Sequence, residues 1–217
     1  VLNNEDKPKY INTGDTLLYN KRNNLYGLNL QKSGKLNDLV MVEGYTDVIG
    51  LYEAGVTNAV ASLGTALTQQ QARLLKRYVS NVYIAYDGDA AGQNATIRGL
   101  DILMAEGLNV RVIVFPNGQD PDEFVRASGK EGFDRLKEEA LSLNSFKLVA
   151  TARRFDLDNE TEREQYAMEA CQFIGTLTPV ERERHYQQLS KQTGYSMETL
   201  RAQGANAKAT ERQQPMT

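Results

Sequence analysis

The sequence has very little of the chemistry that depends on cysteine or histidine. Its 217 residues include one cysteine, Cys171, one histidine, His185, and no tryptophan. A single cysteine excludes an internal disulfide and any zinc site built from several cysteines. Both residues fall in a C-terminal region with helical patterns, where we expect them to be structural. Catalysis by this chain would therefore have to come from carboxylates, lysines or hydroxyls.

Long apolar stretches are also missing. The longest apolar runs, residues 39–42 and 110–115, have the length of strands and fall far short of the roughly 20 residues that span a bilayer. The chain begins at Val1 without a charged leader and an apolar run, so we expect no signal peptide and no membrane partner. The sequence thus predicts a cytoplasmic protein, cut from a longer one.

The charge of the chain is unevenly distributed. The net charge of -3 gives no strong signal of nucleic-acid binding. Residues 1–36, however, carry six positive and three negative side chains, so the remainder has a surplus of six negative charges. A basic arm followed by an acidic domain is consistent with an enzyme that holds divalent cations.

Short apolar segments alternate with segments of helical length in the central part of the chain. The apolar segments are residues 39–42, 59–61, 82–86 and 110–115, and the helical ones are residues 47–54, 69–78 and 90–106. Strands that are apolar throughout and alternate with helices predict an α/β fold, with a mostly parallel sheet flanked by helices.

The segments on either side of this alternation have different patterns. Residues 1–36 predict a short, basic, β-rich arm, and residues 37–142 form the α/β domain. Residues 143–204 show only helical patterns with capping-type starts, which predicts a small helical bundle. The polar residues 205–217 predict a flexible tail.

Acidic residues follow three of the four predicted strands. Glu43 follows the first strand, Asp87 and Asp89 follow the third, and Asp120 and Asp122 follow the fourth. Ligands of open parallel sheets bind outside the carboxyl ends of the strands. Carboxylates that converge there repel one another unless a cation neutralises them. Because no histidine or cysteine lies nearby, the oxygen ligands favour Mg²⁺ or Mn²⁺ over zinc.

These acids also have simpler interpretations. Asp120, followed by Pro121 and Glu123, has the pattern of a helix N-cap. Asp87 and Asp89 are also compatible with an ordinary turn, and Glu43 with a surface acid.

Neighbouring residues have both functional and structural interpretations. Gly44 and Gly88 would allow a phosphate to approach the backbone closely. Asp47, one turn into a helix, either supports the metal site or interacts with the helix dipole.

Basic and aromatic residues provide candidate nucleotide contacts. Lys9, Lys21 and Arg22 are candidates for phosphate contacts, with a solvated basic loop as the alternative. Tyr10 and Tyr45 are candidates for stacking on a base or ribose, although tyrosine is equally common as a half-buried packing residue.

The acidic motifs resemble those of the Toprim domain, in which a glutamate is followed later by Asp-x-Asp. The surrounding sequence resembles the bacterial DNA primase family in particular. The segments that carry this resemblance lie between residues 8 and 142 and read PKY, LYGL, VEGYTDVIGLYEAG, SLGTALT, YDGDAAG and DPDEF. The resemblance implies synthesis of short RNA primers on single-stranded DNA, by metal-dependent nucleotidyl transfer from NTPs.

The resemblance also implies roles for individual residues. It makes Glu43, Asp87 and Asp89 catalytic and assigns the metal to these three acids together with Asp120 and Asp122. The remaining implied residues support this site or contact nucleotide and template: Asp47, Gly44, Gly88, Lys9, Tyr10, Lys21, Arg22 and Tyr45.

The cofactor and partners follow from the same resemblance. It implies Mg²⁺ or Mn²⁺ as cofactor, with no zinc in this part. The implied partners are a single-stranded DNA template, NTPs, the RNA primer and a replicative helicase, which binds through a C-terminal domain absent from this chain. Because other parts of the enzyme are missing too, we expect the isolated chain to be weakly active or inactive. A Toprim nuclease and a non-catalytic metal- and nucleotide-binding module are the alternative functions.

Overall fold

The computed structural model describes residues 16, 20–31, 36–62, 66–87 and 90–211. The chain forms two compact units, which divide between Ala140 and Leu141. The first unit contains the sheet, and the elements described in the second are helices. Among the described residues, no helix combines the length and apolar character that crossing a membrane requires.

The first unit contains a four-stranded parallel sheet in the order β2-β1-β3-β4. The strands are β1 (Asp38–Val42), β2 (Ala59–Ala61), β3 (Asn81–Ile84) and β4 (Asn109–Val112). Residues 39–42 of the central strand β1 are completely buried. A strand that is covered on both faces has no solvent side, so its sequence is continuously apolar instead of alternating. The prediction of a parallel α/β sheet is therefore confirmed.

In the described part of the first unit, four α-helices connect or follow the strands. They are α1 (Tyr45–Glu53), α2 (Gln69–Lys76), α3 (Ala90–Ala105) and α4 (Pro121–Glu138), with a short 3-10 helix at Pro116–Gly118 before α4. The Thr68 hydroxyl caps α2 by accepting from the amide of Gln71, at 3.2 Å. The aromatic rings of Phe115, Phe124 and Phe133 pack in a core below the sheet together with aliphatic residues of α1 and β1.

The described part of the N-terminal arm contacts the β2 edge of the sheet. It contains two 3-10 helices, Lys21–Asn23 and Leu28–Leu30. Tyr26 forms an isolated antiparallel bridge with Ala61, with N–O distances of 2.9 and 3.1 Å. Gly27 has a φ of 79°, and a Cβ there would lie 2.8 Å from the carbonyl oxygen of Ala59, so this close approach requires glycine.

The second unit, as far as the structure describes it, contains four helices: α5 (Leu143–Ala152), α6 (Glu160–Thr176), α7 (Pro179–Thr193) and α8 (Met197–Glu211). Asn159 and Thr178 cap α6 and α7, because their side chains accept hydrogen bonds from amides of the first turns. The close crossing of α6 and α8 depends on two glycines. A Cβ on Gly175 would lie 2.9 Å from the carbonyl oxygen of Gly204.

Two features of this unit were predicted from the sequence. Cys171 is completely buried, and burial raises the pKa of its thiol to about 11, so it is protonated at neutral pH and behaves as a packing residue. The helix α8 continues to Glu211, into the segment 205–217 for which we predicted a tail. The division into an arm, an α/β domain, a bundle and a tail stays a prediction.

Candidate metal centre

The parallel sheet brings the carboxyl ends of three strands to one edge. Met41 of β1 is paired with Ile84 of β3, and Ile84 is paired with Val112 of β4, so these strands end at nearly the same level. Glu43 directly follows β1, and Asp87 lies three residues beyond β3. Both acids are half-buried. Glu43 and Asp87 therefore lie at the same edge of the sheet, and their role in holding a metal stays a prediction.

Asp47 lies close enough to the other acids for their charges to affect its pKa. It lies in the first turn of α1, is 7% exposed, and its Oδ2 accepts a hydrogen bond from the amide of Gly44 at 3.0 Å. The pKa of Asp47 is raised from its ordinary value of 3.8 to about 6, mainly by burial and against the lowering effect of that hydrogen bond. The negative charges of Asp87, Asp120 and Asp122 are smaller contributions to the same rise. Asp47 is therefore close enough to all three acids to be affected by their charge.

Asp120 has the capping role that its sequence context predicted. Its Oδ1 accepts from the amide of Glu123 at 2.7 Å, and Pro121 occupies the first turn of α4. One carboxylate oxygen is engaged in the cap, so the cap itself leaves the second oxygen available for other contacts. Capping and a position near a metal are therefore compatible.

Asp122 is held against α1. The Nε of Arg126 donates to both carboxylate oxygens, at 2.8 and 2.9 Å. A Cβ added to Gly50 of α1 would lie only 1.9 Å from Oδ1 of Asp122. The absence of a side chain at Gly50 thus makes room for this carboxylate, and Arg126 neutralises part of its charge.

Glu43 lies near a buried tyrosine at the same edge. The pKa of Tyr86 is raised, first by burial and then by the negative charge of Glu43. The turn after Glu43 is tight, since a Cβ on Gly44 would approach Oδ2 of Asp47 to 3.1 Å. A larger residue at Gly44 would disturb the hydrogen bond that fixes this turn.

The carboxylate groups at this edge are suitable ligands for a hard divalent cation. Carboxylate oxygens are the ligands that Mg²⁺ and Mn²⁺ prefer. A bound cation would relieve the repulsion among these acids, which adds to the effect of burial on the pKa of Asp47. Within the part of the chain that the structure describes, no three His, Cys, Asp or Glu side chains already form a cluster able to hold a metal ion. Asp89 and Gly88 lie outside the described residues.

The aromatic candidate Tyr45 is positioned next to these acids. It begins α1, and its half-buried ring contacts the ring of Tyr26, with centroids 6.1 Å apart at an angle of 59°. Tyr26 is 38% exposed. The pair therefore presents aromatic surface beside the turn that carries Glu43 and Gly44.

The basic candidates are only partly described. Lys21 and Arg22 lie in the 3-10 helix of the arm, where their carbonyl oxygens accept hydrogen bonds from Gln71 and Thr68 at the start of α2. Lys9 and Tyr10 lie outside the described residues. Phosphate binding by Lys21 and Arg22 stays a prediction.

Sequence reasoning missed three residues that shape this site: Arg126, Gly50 and Tyr26. Arg126 had a detectable signal, because it follows Asp122 by four residues on a helix, which is the spacing of an ion pair. The roles of Gly50 and Tyr26 depend on contacts between elements distant in sequence, so no local pattern indicates them.

Comparison with known proteins identifies relatives for both units. The Toprim-like family model matches residues 40–125. The DNA primase of Clostridium acetobutylicum is 44% identical over 191 residues, which cover 88% of this chain and 32% of the relative. The DNA primase of Escherichia coli is 39% identical over 179 residues, which cover 80% of this chain and 31% of the relative. The chain thus spans about a third of the length of these curated relatives.

Solved structures show the same similarity. The DnaG primase catalytic domain bound to ssDNA is 36% identical and superposes with a TM-score of 0.63. The alignment covers 88% of this chain and 63% of the other. The RNA polymerase domain of Mycobacterium tuberculosis primase DnaG in complex with double-stranded DNA is 30% identical. Its TM-score is 0.71, and the alignment covers 90% of this chain and 65% of the other.

Proposed function

This chain belongs to the bacterial DNA primase family, and from that premise we propose that it is the metal-binding part of a catalytic core that synthesises short RNA primers on single-stranded DNA. The observation that best supports this function is the gathering of acids at the carboxyl edge of the sheet. The charges of Asp87, Asp120 and Asp122 all raise the pKa of the buried Asp47.

We assign the metal site to the acids of this edge. Glu43, Asp87 and Asp89 would hold the divalent cations, Mg²⁺ or Mn²⁺, and Asp120 and Asp122 would complete the site. Cations held there would supply positive charge for activation of a ribose 3′-hydroxyl and for stabilisation of the departing pyrophosphate.

Other residues hold the acids in place. Asp47 accepts from the Gly44 amide and thereby fixes the turn that presents Glu43. Gly50 leaves space for Asp122, and Arg126 holds its carboxylate in that space. Groups that are oriented before the substrate arrives lower the barrier, because they need not reorganise during the reaction.

Nucleotide and template binding involve the arm and the start of α1. The ring of Tyr45, supported by Tyr26, stacks on a base or ribose, and Lys9, Tyr10, Lys21 and Arg22 contact phosphate or template. The partners in this proposal are single-stranded DNA, NTPs, the primer and, for the longer protein, a replicative helicase. The solved complex of a related catalytic domain with single-stranded DNA supports the template assignment.

Mn²⁺ binding by the 217-residue chain tests the metal site directly. Electron paramagnetic resonance measures free Mn²⁺ during a titration of the wild type, Asp87→Asn and Asp89→Asn. Loss of one carboxylate should weaken Mn²⁺ binding by at least about tenfold in each variant. Asp101→Asn, an exposed position on α3, removes the same charge and should leave the affinity nearly unchanged. Wild-type affinity in both site variants would contradict the proposed metal centre.

A chimera tests the polymerase function. The chain replaces the matching region of the Clostridium acetobutylicum DNA primase, and incorporation of labelled NTPs on single-stranded DNA is followed on gels. The chimera should synthesise primers, and its Asp87→Asn variant should not. Nicking of plasmid DNA in Mg²⁺ without NTP incorporation would instead support a Toprim nuclease.

A further inference from the structure

The helical unit contains a cavity that the proposed polymerase chemistry does not use. It has a volume of about 260 Å³ and is open on one side. Its buried wall is formed by Leu148 of α5, Tyr166 of α6, and His185 and Leu189 of α7, each at most 7% exposed. The exposed side chains of Gln188 and Gln192 line its mouth.

His185 is the unusual member of this wall. It is 1% exposed, and neither Nδ1 nor Nε2 has a hydrogen-bond partner among the residues that the structure describes. Buried polar groups are normally paired, so an imidazole with two unpaired nitrogens at a cavity suggests an external partner. Burial lowers the pKa of His185, as does the positive charge of Arg184, while Glu181 opposes them. The ring is therefore neutral at pH 7 and offers one donor and one acceptor.

The rest of the lining is neutral as well. The hydroxyl of Tyr166 donates to Oε1 of Gln192 at 2.9 Å, which orients this amide at the mouth. Leu148 and Leu189 supply aliphatic surface, and none of the described residues that line the cavity carries a charge at neutral pH. Such a lining favours an uncharged ligand with a flat apolar body and an edge of donors and acceptors. The charges of Arg184 and Glu181, which act on His185 from outside the lining, have opposite signs.

The size of the cavity limits the ligand further. An apolar cavity of about 150 Å³ holds benzene. Pockets for drug-sized ligands begin at about 300 Å³. A cavity of about 260 Å³ therefore accommodates a ligand of one or two rings.

We propose that this cavity binds a single nucleobase, whose edge hydrogen-bonds to His185 and to the glutamine amides while its faces pack against the leucines. The choice of a nucleobase among small heterocycles rests on the proposed function, because NTPs and single-stranded DNA are what such an enzyme handles. Glutamine amides and buried aromatic or aliphatic walls are the groups that proteins use for unstacked bases. The base comes either from a free nucleotide or from the DNA strand.

The single histidine makes the site directly observable. In a proton–nitrogen correlation spectrum optimised for imidazole, every side-chain histidine signal of the 217-residue chain belongs to His185. Adenosine, guanosine, cytidine and uridine are titrated separately in EDTA, so that the metal site plays no part. At least one nucleoside should shift the His185 signals saturably, with a Kd on the order of 1 mM, as expected for so small a ligand. Ribose 5-phosphate, which lacks a base, should not.

Two adjacent glutamines provide a matched pair of variants. Gln187 and Gln188 are both exposed on α7, but only Gln188 lines the cavity. Gln188→Ala should weaken nucleoside binding several-fold and Gln187→Ala should not, and neither change threatens the fold. Equal effects in the two variants would refute the location of the site.

Oligonucleotides separate the two sources of the base. A short single-stranded DNA and the same strand with abasic positions are compared by the His185 shift. A shift only with the intact strand supports a template base, and a shift only with free nucleosides supports a nucleotide site. Unchanged His185 signals with every nucleoside and strand would mean a hydrated cavity and would overturn the proposal. Because EDTA is present, this outcome is independent of whether the Asp87→Asn test of the metal centre succeeds.

Discussion

Replacing Asp47 by asparagine should stabilise the protein at neutral pH and have little effect near pH 4. Asp47 is 7% exposed and surrounded by the charges of Asp87, Asp120 and Asp122, so its ionised form is unfavourable in the folded state. Asparagine keeps an oxygen that accepts from the amide of Gly44 while removing the charge.

The magnitude follows from the pKa of Asp47, which rises from 3.8 to about 6 on folding. Since one pKa unit corresponds to about 1.4 kcal/mol, ionised Asp47 reduces the free energy of unfolding by about 3 kcal/mol at pH 7.5. Between these two pKa values the folded state binds more protons than the unfolded state. The stability of the wild type therefore falls, relative to Asp47→Asn, as the pH rises through this window, and the difference is constant above it.

Urea unfolding followed by circular dichroism, in EDTA at several pH values from 4 to 7.5, measures this difference. The free-energy gap between Asp47→Asn and the wild type should grow with pH to about 3 kcal/mol. Asp101→Asn, at an exposed position, should show no comparable growth. A gap that is independent of pH, or one that shrinks as the pH rises, would refute the electrostatic account of Asp47.

Two further predictions concern α4 and its contact with α1. Gly50→Ala should destabilise the protein by about 1–3 kcal/mol, because the new Cβ would lie 1.9 Å from Oδ1 of Asp122. In thermal melts, Asp122→Ala in the same chain should recover most of this loss, and purely additive effects would exclude the clash as its cause. Asp120→Ala should cost about 1 kcal/mol through the lost cap on the Glu123 amide, whereas Asp120→Ser should retain most of the stability. Equal melting temperatures for these two variants would show that the cap contributes little.

The sequence was sufficient for the architecture of the first unit. Residues 39–42 and 59–61 are apolar throughout, and the structure forms β1 and β2 there because strands covered on both faces tolerate no polar alternation. Parallel pairing then places Glu43 and Asp87 at one edge, since all strands run in the same direction. Asp120 was predictable as a cap for a similar reason, because capping depends on a few adjacent residues.

Only the tertiary structure could decide how the acids and their neighbours meet. The pKa of Asp47 depends on burial and on charges up to 75 positions away in the chain, and the place of Asp122 depends on the missing side chain of Gly50. The cavity at His185 is likewise formed by three helices whose sequences, taken separately, indicate only a packed bundle. Local sequence determines which segments become strands, helices and caps, because those choices rest on near neighbours. Burial, close approach and the interaction between charges depend on residues that are distant in the chain. They are therefore determined only once the chain has folded.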